Sequence, residues 1–307
     1  MPLQPTKLLI IKHGAFGDVI LADGVMRDIR AAFPQTEIVL LTTPAYFELM
    51  RRCPHIDRIL LDPRAPFWRF GALVDLIRMF RAERFTWVFD LQQSGRTGHY
   101  RRLFFRGATW HGRMAGASPP SMIEGFKPLL EHAGLAAQHC LSPDVSWMAQ
   151  NVSALLKIHG VKKPYIALIP GCAANHPHKR WPYYPELSAA LHERGYSVVT
   201  APGPDEIELA QSIPGTTLLG PKGFLNWFEL AGVLKEAYFI VGNDTGPSHL
   251  AACLGRPGLA LFGPHTSAAR TGICRGAFDA IEVPDLGELK PDTVLGEVLA
   301  RLSRIGH

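Results

Sequence analysis

The sequence predicts an α/β protein with two successive domains, each built on a mainly parallel sheet. Three observations support this prediction. The 307 residues suit two domains better than one. Short β-branched runs alternate with amphipathic stretches, as in βαβ units. The alternation restarts after the segment IHGVKKP, whose glycine, lysines and proline are typical of a linker. We therefore expect Rossmann-like domains at 1–160 and 161–307, with ligands bound in a cleft between them, outside the carboxyl ends of the strands.

In the first domain, apolar runs predict strands and the stretches between them predict helices. The strands are expected at 8–12, 37–43, 57–62 and 86–91, and the helices at 19–33, 45–52, 69–83 and 97–106. In the second domain the strands are expected at 165–171, 196–203, 216–220, 238–244 and 258–263, and the helices at 183–194, 205–213, 225–236, 247–254 and 291–304. The last helix is expected to close the chain and is available to pack back on the first domain.

The composition is that of a soluble globular protein, with 47% hydrophobic and 19% charged residues. No window reaches about 18 uninterrupted apolar residues, and the first residues lack the charge and cleavage pattern of a signal peptide. We expect a cytoplasmic protein. Its five cysteines are scattered and form no CxxC pair, which argues against a disulfide framework or a zinc site.

Positive charge is concentrated in the first domain. Residues 1–160 carry 19 Lys and Arg against 13 Asp and Glu, whereas the remainder carries 13 against 14. One stretch without any acidic residue holds Arg96, Arg101, Arg102, Arg106 and Arg113. Such a stretch attracts an anionic substrate, an acidic membrane surface or a nucleic acid, or it is simply a solvated helix face. Nucleic acid is not expected, because no recognised binding motif accompanies the charge.

The first strand ends in HGAFGDVIL, which does not match the GxGxxG dinucleotide fingerprint. Gly14 and Gly17 allow a sharp turn and the close approach of a ligand. Asp18 opens the following helix, either as its N-cap or as a general base that accepts a proton from an attacking hydroxyl. His13 lies at the same strand end, where it either contacts an acceptor or phosphate or is a satisfied polar group.

Two segments of the second domain are typical of a phosphate site. In PGCAANHPHKRWPYY, Lys179 stands near a helix start and can hold a phosphate. In VGNDTGPSHLAACLG, the strand is followed by Asp244, Thr245 and Gly246, and then by His249, at a predicted helix N-terminus that favours a diphosphate. Asp244 is also suited to binding donor hydroxyls or assisting a divalent ion. A carboxylate that bridges ribose hydroxyls is a weaker interpretation for Glu206, which also suits the helix dipole.

Together these segments resemble glycosyltransferase family 9, the ADP-heptose:lipopolysaccharide heptosyltransferases. The likeness is carried by LLIIKHGAFGDVIL, IPGCAANHPHKRWP and FIVGNDTGPSHLAACLGRPGLALFGP, which span most of the chain. The resemblance implies a GT-B type fold, with the acceptor in the first domain and an ADP-sugar in the second, and inversion by direct displacement. The matching residues imply roles for Asp18 as base, Lys179 on phosphate and Glu206 on the nucleoside. Donor contacts are likewise implied for Asp244, Thr245, Gly246 and His249.

The implied acceptor is the lipopolysaccharide inner core, a lipid-linked anionic saccharide that suits the arginine-rich stretch. Acceptor contacts are the weaker assignments, and they fall on His13, Gly14, Arg96, Arg101 and Arg102. Peripheral contact with the inner membrane would accompany it. No cofactor is expected to be required, and no metal ligand is assigned, although Mg²⁺ stays an option. The chain departs from the family at His13-Gly14-Ala15, where members often carry serine or threonine, and at Ala173-Ala174, where some carry hydroxyl residues. The exact sugars therefore stay open. A nucleotide-sugar epimerase and a non-catalytic nucleotide-sugar binding protein are the alternatives.

Overall fold

The computed structural model describes residues 5–66, 68–112 and 119–305, and the chain forms two compact units, Met1–Pro143 and Asp144–His307. Arg113 of the basic stretch lies outside the described residues. The two units divide after Pro143, whereas the boundary expected from the sequence follows residue 160. Backbone hydrogen bonds join the segment that follows Pro143 to the second unit, from Val145 N–H to the Cys253 carbonyl and from Gln150 N–H to the Phe228 carbonyl. The segment after Pro143 therefore belongs to the second unit.

The first unit contains one parallel sheet with the strand order β3-β2-β1-β4-β5. Its elements are β1 (Lys7–Ile11), α1 (Phe16–Leu21), α2 (Asp23–Ala32), β2 (Glu37–Thr42), α3 (Phe47–Met50), β3 (Arg58–Leu61), α4 (Phe70–Glu83), β4 (Trp87–Asp90), α5 (Gly95–Phe104), β5 (Thr109–His111) and α6 (Phe126–His132). The central strands are fully buried because helices cover both faces of a parallel sheet, which explains their continuous apolar runs.

The second unit contains a six-stranded parallel sheet with the order β11-β10-β9-β6-β7-β8. Its elements are α7 (Ser153–Ile158), β6 (Tyr165–Ile169), α8 (Tyr184–Glu193), β7 (Ser197–Thr200), α9 (Ile207–Gln211), β8 (Thr216–Thr217), α10 (Trp227–Glu236), β9 (Phe239–Asn243), α11 (Gly246–Cys253), β10 (Gly258–Phe262), α12 (Ala268–Thr271), β11 (Phe278–Glu282) and α13 (Pro291–Ile305). Helix α13 packs against α8 within this unit.

The edge strands β5 and β11 were not predicted. β5 has only three residues, and β11 mixes charged with apolar side chains because an edge strand is only partly covered. The predicted helix 19–33 is two helices, with Ala22 between them. Among helices in the described part of the chain, none combines the length and apolar character that a membrane span requires.

Both sheets have a topological switch point. In the first, the chain leaves β1 for β2 and β3 on one side and returns to β4 on the other. In the second, β6 and β9 have the same relation. Loops diverge at the carboxyl ends of such strand pairs, so ligands of parallel sheets bind there. The fold class expected from the sequence, two Rossmann-like domains with parallel sheets, is confirmed.

Candidate active site

A glutamine joins the two loops at the switch point of the first unit. The side-chain oxygen of Gln92, after β4, accepts hydrogen bonds from the N–H groups of His13 (2.9 Å) and Gly14 (3.3 Å), after β1. Gly14 has a φ of 138°, and a Cβ there would lie 2.7 Å from Cε2 of Tyr46. Glycine is therefore required both for the backbone conformation and for the close packing of this loop.

Asp18 lies beside this junction with its carboxylate open to solvent. It is not the N-cap of α1, which is Ala15; Asp18 stands in the first turn, and its side chain is 44% exposed. The amine of Lys12 lies 3.7 Å from Asp18 Oδ2 and is itself almost fully buried. A carboxylate that is open to solvent can be reached by a bound hydroxyl and can accept its proton.

Lys12 is the member of this site that the sequence reasoning missed. Burial lowers the pKa of Lys12, while the negative charges of Asp18 and Asp90 oppose that shift. Burial raises the pKa of Asp90, whose Oδ1 accepts the N–H groups of Gln92 (3.1 Å) and Gln93 (2.8 Å). The lysine ends a strand and looks like an ordinary flanking charge, but in the fold it stands between two carboxylates.

The side chains of His13 and Arg96 both lie against the buried Asp62 of the first unit. Nη2 of Arg96 lies 2.9 Å from Oδ1 of the buried Asp62, and Nε2 of His13 lies 3.3 Å from its Oδ2. Tyr100 donates its hydroxyl to the same carboxylate. Burial lowers the pKa of His13 to about 4, so the imidazole is neutral at ordinary pH. The His13 ring therefore lies beside Asp62, although its buried Nε2 has no hydrogen-bond partner among the described residues. The guanidinium of Arg96 is directed at Asp62 rather than at solvent.

Arg101 and Arg102 are exposed but stand at the wrong end of α5 for the expected role. The register pairs Trp87 of β4 with Thr109 of β5, so α5 returns the chain from the carboxyl edge of the sheet to its amino edge. Both arginines occupy the last turn of that helix. They lie at the amino edge, whereas Asp18 follows the carboxyl end of β1.

An asparagine joins the loops at the switch point of the second unit. The amide nitrogen of Asn243 donates to the carbonyls of Pro170 (2.8 Å) and Gly171 (3.1 Å) after β6. Its oxygen accepts the Trp181 N–H and the Tyr184 hydroxyl, both at 3.1 Å. All four groups are buried or nearly so, so Asn243 fixes the loop that carries Lys179.

Asp244 is surrounded by donors. Its Oδ2 lies 2.6 Å from Lys179 Nζ and 3.0 Å from His265 Nε2, and its Oδ1 lies 3.7 Å from His249 Nε2. Burial alone would raise the pKa of Asp244, but the hydrogen bonds from His249, Lys179 and His265 outweigh burial and hold it well below its usual range. The structure brings Lys179, Asp244 and His249 together as the sequence suggested, and it adds His265, which the sequence reasoning missed.

The start of α11 offers polar groups beside this cluster. Thr245 is the N-cap residue, and its buried hydroxyl has no partner among the described residues. Gly246 is the first helical residue, whose N–H has no intrahelical acceptor, and Pro247 has no N–H to satisfy. Ser248 is committed elsewhere, because its hydroxyl donates to the Asn243 carbonyl at 2.6 Å. The groups that remain available to a ligand here are the Thr245 hydroxyl and the Gly246 N–H.

Glu206 reaches the same switch point from β7. A Cβ on Gly171 would lie only 1.9 Å from Glu206 Oε1, so glycine leaves the space that this carboxylate occupies. The other oxygen of Glu206 accepts the Gly203 N–H at 3.0 Å. Within the described ranges, no group of three or more His, Cys, Asp and Glu is arranged to hold a metal ion.

The chain is similar in sequence to a family of known enzymes. The model of "Glycosyltransferase family 9 (heptosyltransferase)" matches residues 76–280. Lipopolysaccharide heptosyltransferase 2 of Escherichia coli K12 is 26% identical over 293 residues, covering 84% of this chain and 83% of that protein.

Solved structures agree in fold. A family 9 glycosyl transferase from Veillonella parvula DSM 2008 superposes with a TM-score of 0.81, at 19% identity, with 99% of both chains covered. Heptosyltransferase WaaC of Escherichia coli, solved with ADP, gives a TM-score of 0.74 at 18% identity, covering 96% of this chain and 99% of that one. Two parallel α/β units of this type are thus shared over almost the whole length.

Proposed function

The chain belongs to glycosyltransferase family 9, and we propose that it transfers a heptose from ADP-heptose to the inner core of lipopolysaccharide, with inversion at the anomeric carbon. Of the relatives named above, one is lipopolysaccharide heptosyltransferase 2, and another, heptosyltransferase WaaC, was solved with ADP. The observation that carries the assignment to this chain is the charge at its two switch points. One presents a solvent-open carboxylate and the other a cluster of cationic and polar donors.

The donor is assigned to the second unit. Lys179 can exchange its partner Asp244 for a diphosphate oxygen, because an ammonium forms charge-assisted bonds with carboxylate and phosphate oxygens alike. The N–H of Gly246 and the unpartnered hydroxyl of Thr245 offer further donors at a helix N-terminus. Asp244 and His249 are left to contact sugar hydroxyls, and Glu206 to contact the ribose.

The reaction step is assigned to Asp18. An acceptor hydroxyl attacks the anomeric carbon as the bond from that carbon to the diphosphate oxygen breaks, and ADP leaves with the bonding electrons. The hydroxyl proton passes to the Asp18 carboxylate, which becomes neutral and later returns it to water. Lys179 and the start of α11 stabilise the charge that develops on the leaving diphosphate. Attack on the face opposite the leaving group inverts the configuration. No metal or other cofactor is assigned a step.

Of the acceptor contacts expected from the sequence, we keep one as a direct contact and give the others indirect or remote roles. Gly14 stays a candidate, since it lies at the same carboxyl edge as Asp18. His13 and Arg96 contribute indirectly, by holding Asp62 and the loop between β3 and α4. Arg101 and Arg102 act at most as remote attractors for an anionic partner. Because the acceptor is lipid-linked, we place the protein in the cytoplasm with peripheral contact at the inner membrane, and no nucleic-acid partner.

The decisive experiment measures ADP release from ADP-heptose with and without a heptose-free lipopolysaccharide acceptor. Release that requires the acceptor, with heptose found on the acceptor, supports the proposal. Donor conversion without acceptor would indicate an epimerase, and binding without conversion would indicate a nucleotide-sugar binding protein. A thermal-shift panel of ADP, UDP, GDP and CMP checks the donor, because bound ligand raises apparent stability. Stabilisation by ADP alone is expected, and stabilisation by UDP alone would overturn the donor assignment.

A further inference from the structure

A group of large apolar side chains is exposed on the first unit around the start of α4. Trp68 is 77% exposed and Phe70 is 78% exposed, and Leu61 and Val74 are also exposed. Single exposed apolar residues are ordinary. Here, however, four of the nine exposed large hydrophobic side chains in the described residues fall within 61–74. Two of the four are aromatic, the costliest kind of side chain to leave in water.

Basic side chains are interspersed with these apolar ones. Arg64 precedes the two aromatics in the chain and Arg69 stands between them, and both are exposed. On α4 itself, Phe70, Val74, Arg78 and Arg81 follow one another at helical spacing along the outward face, all exposed. The acid on this helix face is Asp75, 3.9 Å from Arg78. The surface therefore combines aromatic and aliphatic side chains with an excess of arginine.

The position of this surface relates it to the proposed base. α4 begins after the carboxyl end of β3, and β3 is parallel to β2 and β1. The exposed aromatics thus lie toward the carboxyl edge of the first sheet, the edge at which Asp18 follows β1. A cavity of about 150 Å³ lies beneath the same segment, lined by apolar side chains such as Leu73 and Met79 and by Asp62 and Arg96.

We infer that Trp68, Phe70 and Val74, with Arg64, Arg69 and Arg81, form a docking surface for an anionic lipid bilayer. Helices that lie in a membrane interface present aromatic and aliphatic side chains to the acyl boundary and arginines to anionic headgroups. A single-stranded nucleic acid would stack on the aromatics and pair with the arginines, but it would make no comparable contact with the aliphatic Val74 and Leu61. The inference deepens the proposed function, on which its biological role rests: docking here would bring a lipid-linked acceptor to the carboxyl edge that carries Asp18.

The test is flotation of the full-length protein with vesicles of phosphatidylcholine alone or in equal mixture with phosphatidylglycerol. The wild type should bind the anionic vesicles, and less so as salt increases. The double substitution Trp68→Ser and Phe70→Ser should lower the bound fraction roughly tenfold or more, because it removes the apolar anchors. Arg69→Gln with Arg81→Gln should weaken binding and flatten its salt dependence.

The matched control is Ile158→Ser, which removes an apolar side chain that is 81% exposed in the second unit. It should bind vesicles as the wild type does. Equal binding by Trp68→Ser/Phe70→Ser and the wild type, or no binding by the wild type, would overturn the inference. A third outcome would also overturn it: the wild type is a dimer that binds no vesicles, and the double variant is a monomer.

Activity separates this inference from the proposed function. With ADP-heptose and a water-soluble core saccharide, Trp68→Ser/Phe70→Ser should turn over at the wild-type rate, whereas with vesicle-embedded acceptor it should be slower. Vesicle binding without any heptose transfer by the wild type would refute the proposed function and leave the docking surface standing. Heptose transfer by a wild type that binds no vesicles would refute the docking surface and leave the proposed function standing.

Discussion

The two switch points share a backbone plan and differ in where they place charge. In each, an amide side chain joins the loops that leave the two central strands: Gln92 in the first unit and Asn243 in the second. In the first unit the cation Lys12 is buried and the carboxylate of Asp18 is open. In the second the carboxylate of Asp244 is buried beneath Lys179 and two histidines. The same fold thus presents negative charge at one site and positive charge at the other.

This difference matches the two tasks of glycosyl transfer. A proton acceptor must be reached by the attacking hydroxyl, so its carboxylate has to be exposed and ionised. A diphosphate site needs cations and N–H groups at its surface, so the balancing carboxylate belongs below them. We propose that the depth of each charge determines which task its site performs. The following experiments test that statement, from the largest expected effect to the smallest.

Lys12→Met should damage the first site most. It leaves Asp18 without its cation and removes the positive charge that faces the buried Asp90. We expect kcat to fall roughly a hundredfold while the Kd for ADP stays unchanged, measured by turnover and calorimetry. Lys12→Arg, which keeps the charge, should recover part of kcat. An unchanged kcat in a folded Lys12→Met variant would remove Lys12 from the site.

His13 should make the first unit acid-sensitive. Burial lowers its pKa to about 4, so the unfolded chain binds a proton at higher pH than the folded chain does. Stability from this group is complete above about pH 6.5 and is lost as the pH falls toward 4, by about 3 kcal/mol in all. Urea unfolding at several pH values should show this slope, and His13→Asn should flatten it. A slope that persists in the variant would mean that other groups carry the acid sensitivity.

The two bridging amides should differ in their contribution to stability. Asn243→Ala removes four hydrogen bonds among buried groups and should cost roughly 2–3 kcal/mol. Gln92→Ala removes two bonds at a half-buried position and should cost about 1 kcal/mol. Chemical denaturation measures both. Equal losses would contradict the expectation that the more deeply buried amide contributes more to stability.

His265→Ala should have the smallest effect. It removes one of the three partners of Asp244, so Lys179 is held more tightly by that carboxylate and is less available to phosphate. We expect the KM for the donor to rise roughly fivefold, with kcat nearly unchanged, because about 1 kcal/mol of a shared interaction is lost. His176→Ala, an exposed neighbour, serves as the control. A similar change in both variants would argue for a general loop effect.

The sequence predicts the sheets well because buried parallel strands appear as continuous apolar runs. It also predicts that site residues gather at the carboxyl ends, since that follows from βαβ connectivity alone. It cannot predict side-chain pairing across long separations. Arg96 turns inward because Asp62, 34 residues earlier, is buried beside it. Lys12 and His265 were missed for the same reason: their partners are assigned only by the fold.

The most direct test of the account crosses the two sites. Asp18→Asn and Lys179→Met are each measured for kcat and for the Kd of ADP. Asp18→Asn should lower kcat by roughly 10²–10⁴-fold and leave ADP binding unchanged. Lys179→Met should weaken ADP binding roughly tenfold or more, because a charge-assisted bond to phosphate is lost. Wild-type turnover by Asp18→Asn, or equal weakening of ADP binding by both variants, would contradict the division of labour between the two switch points.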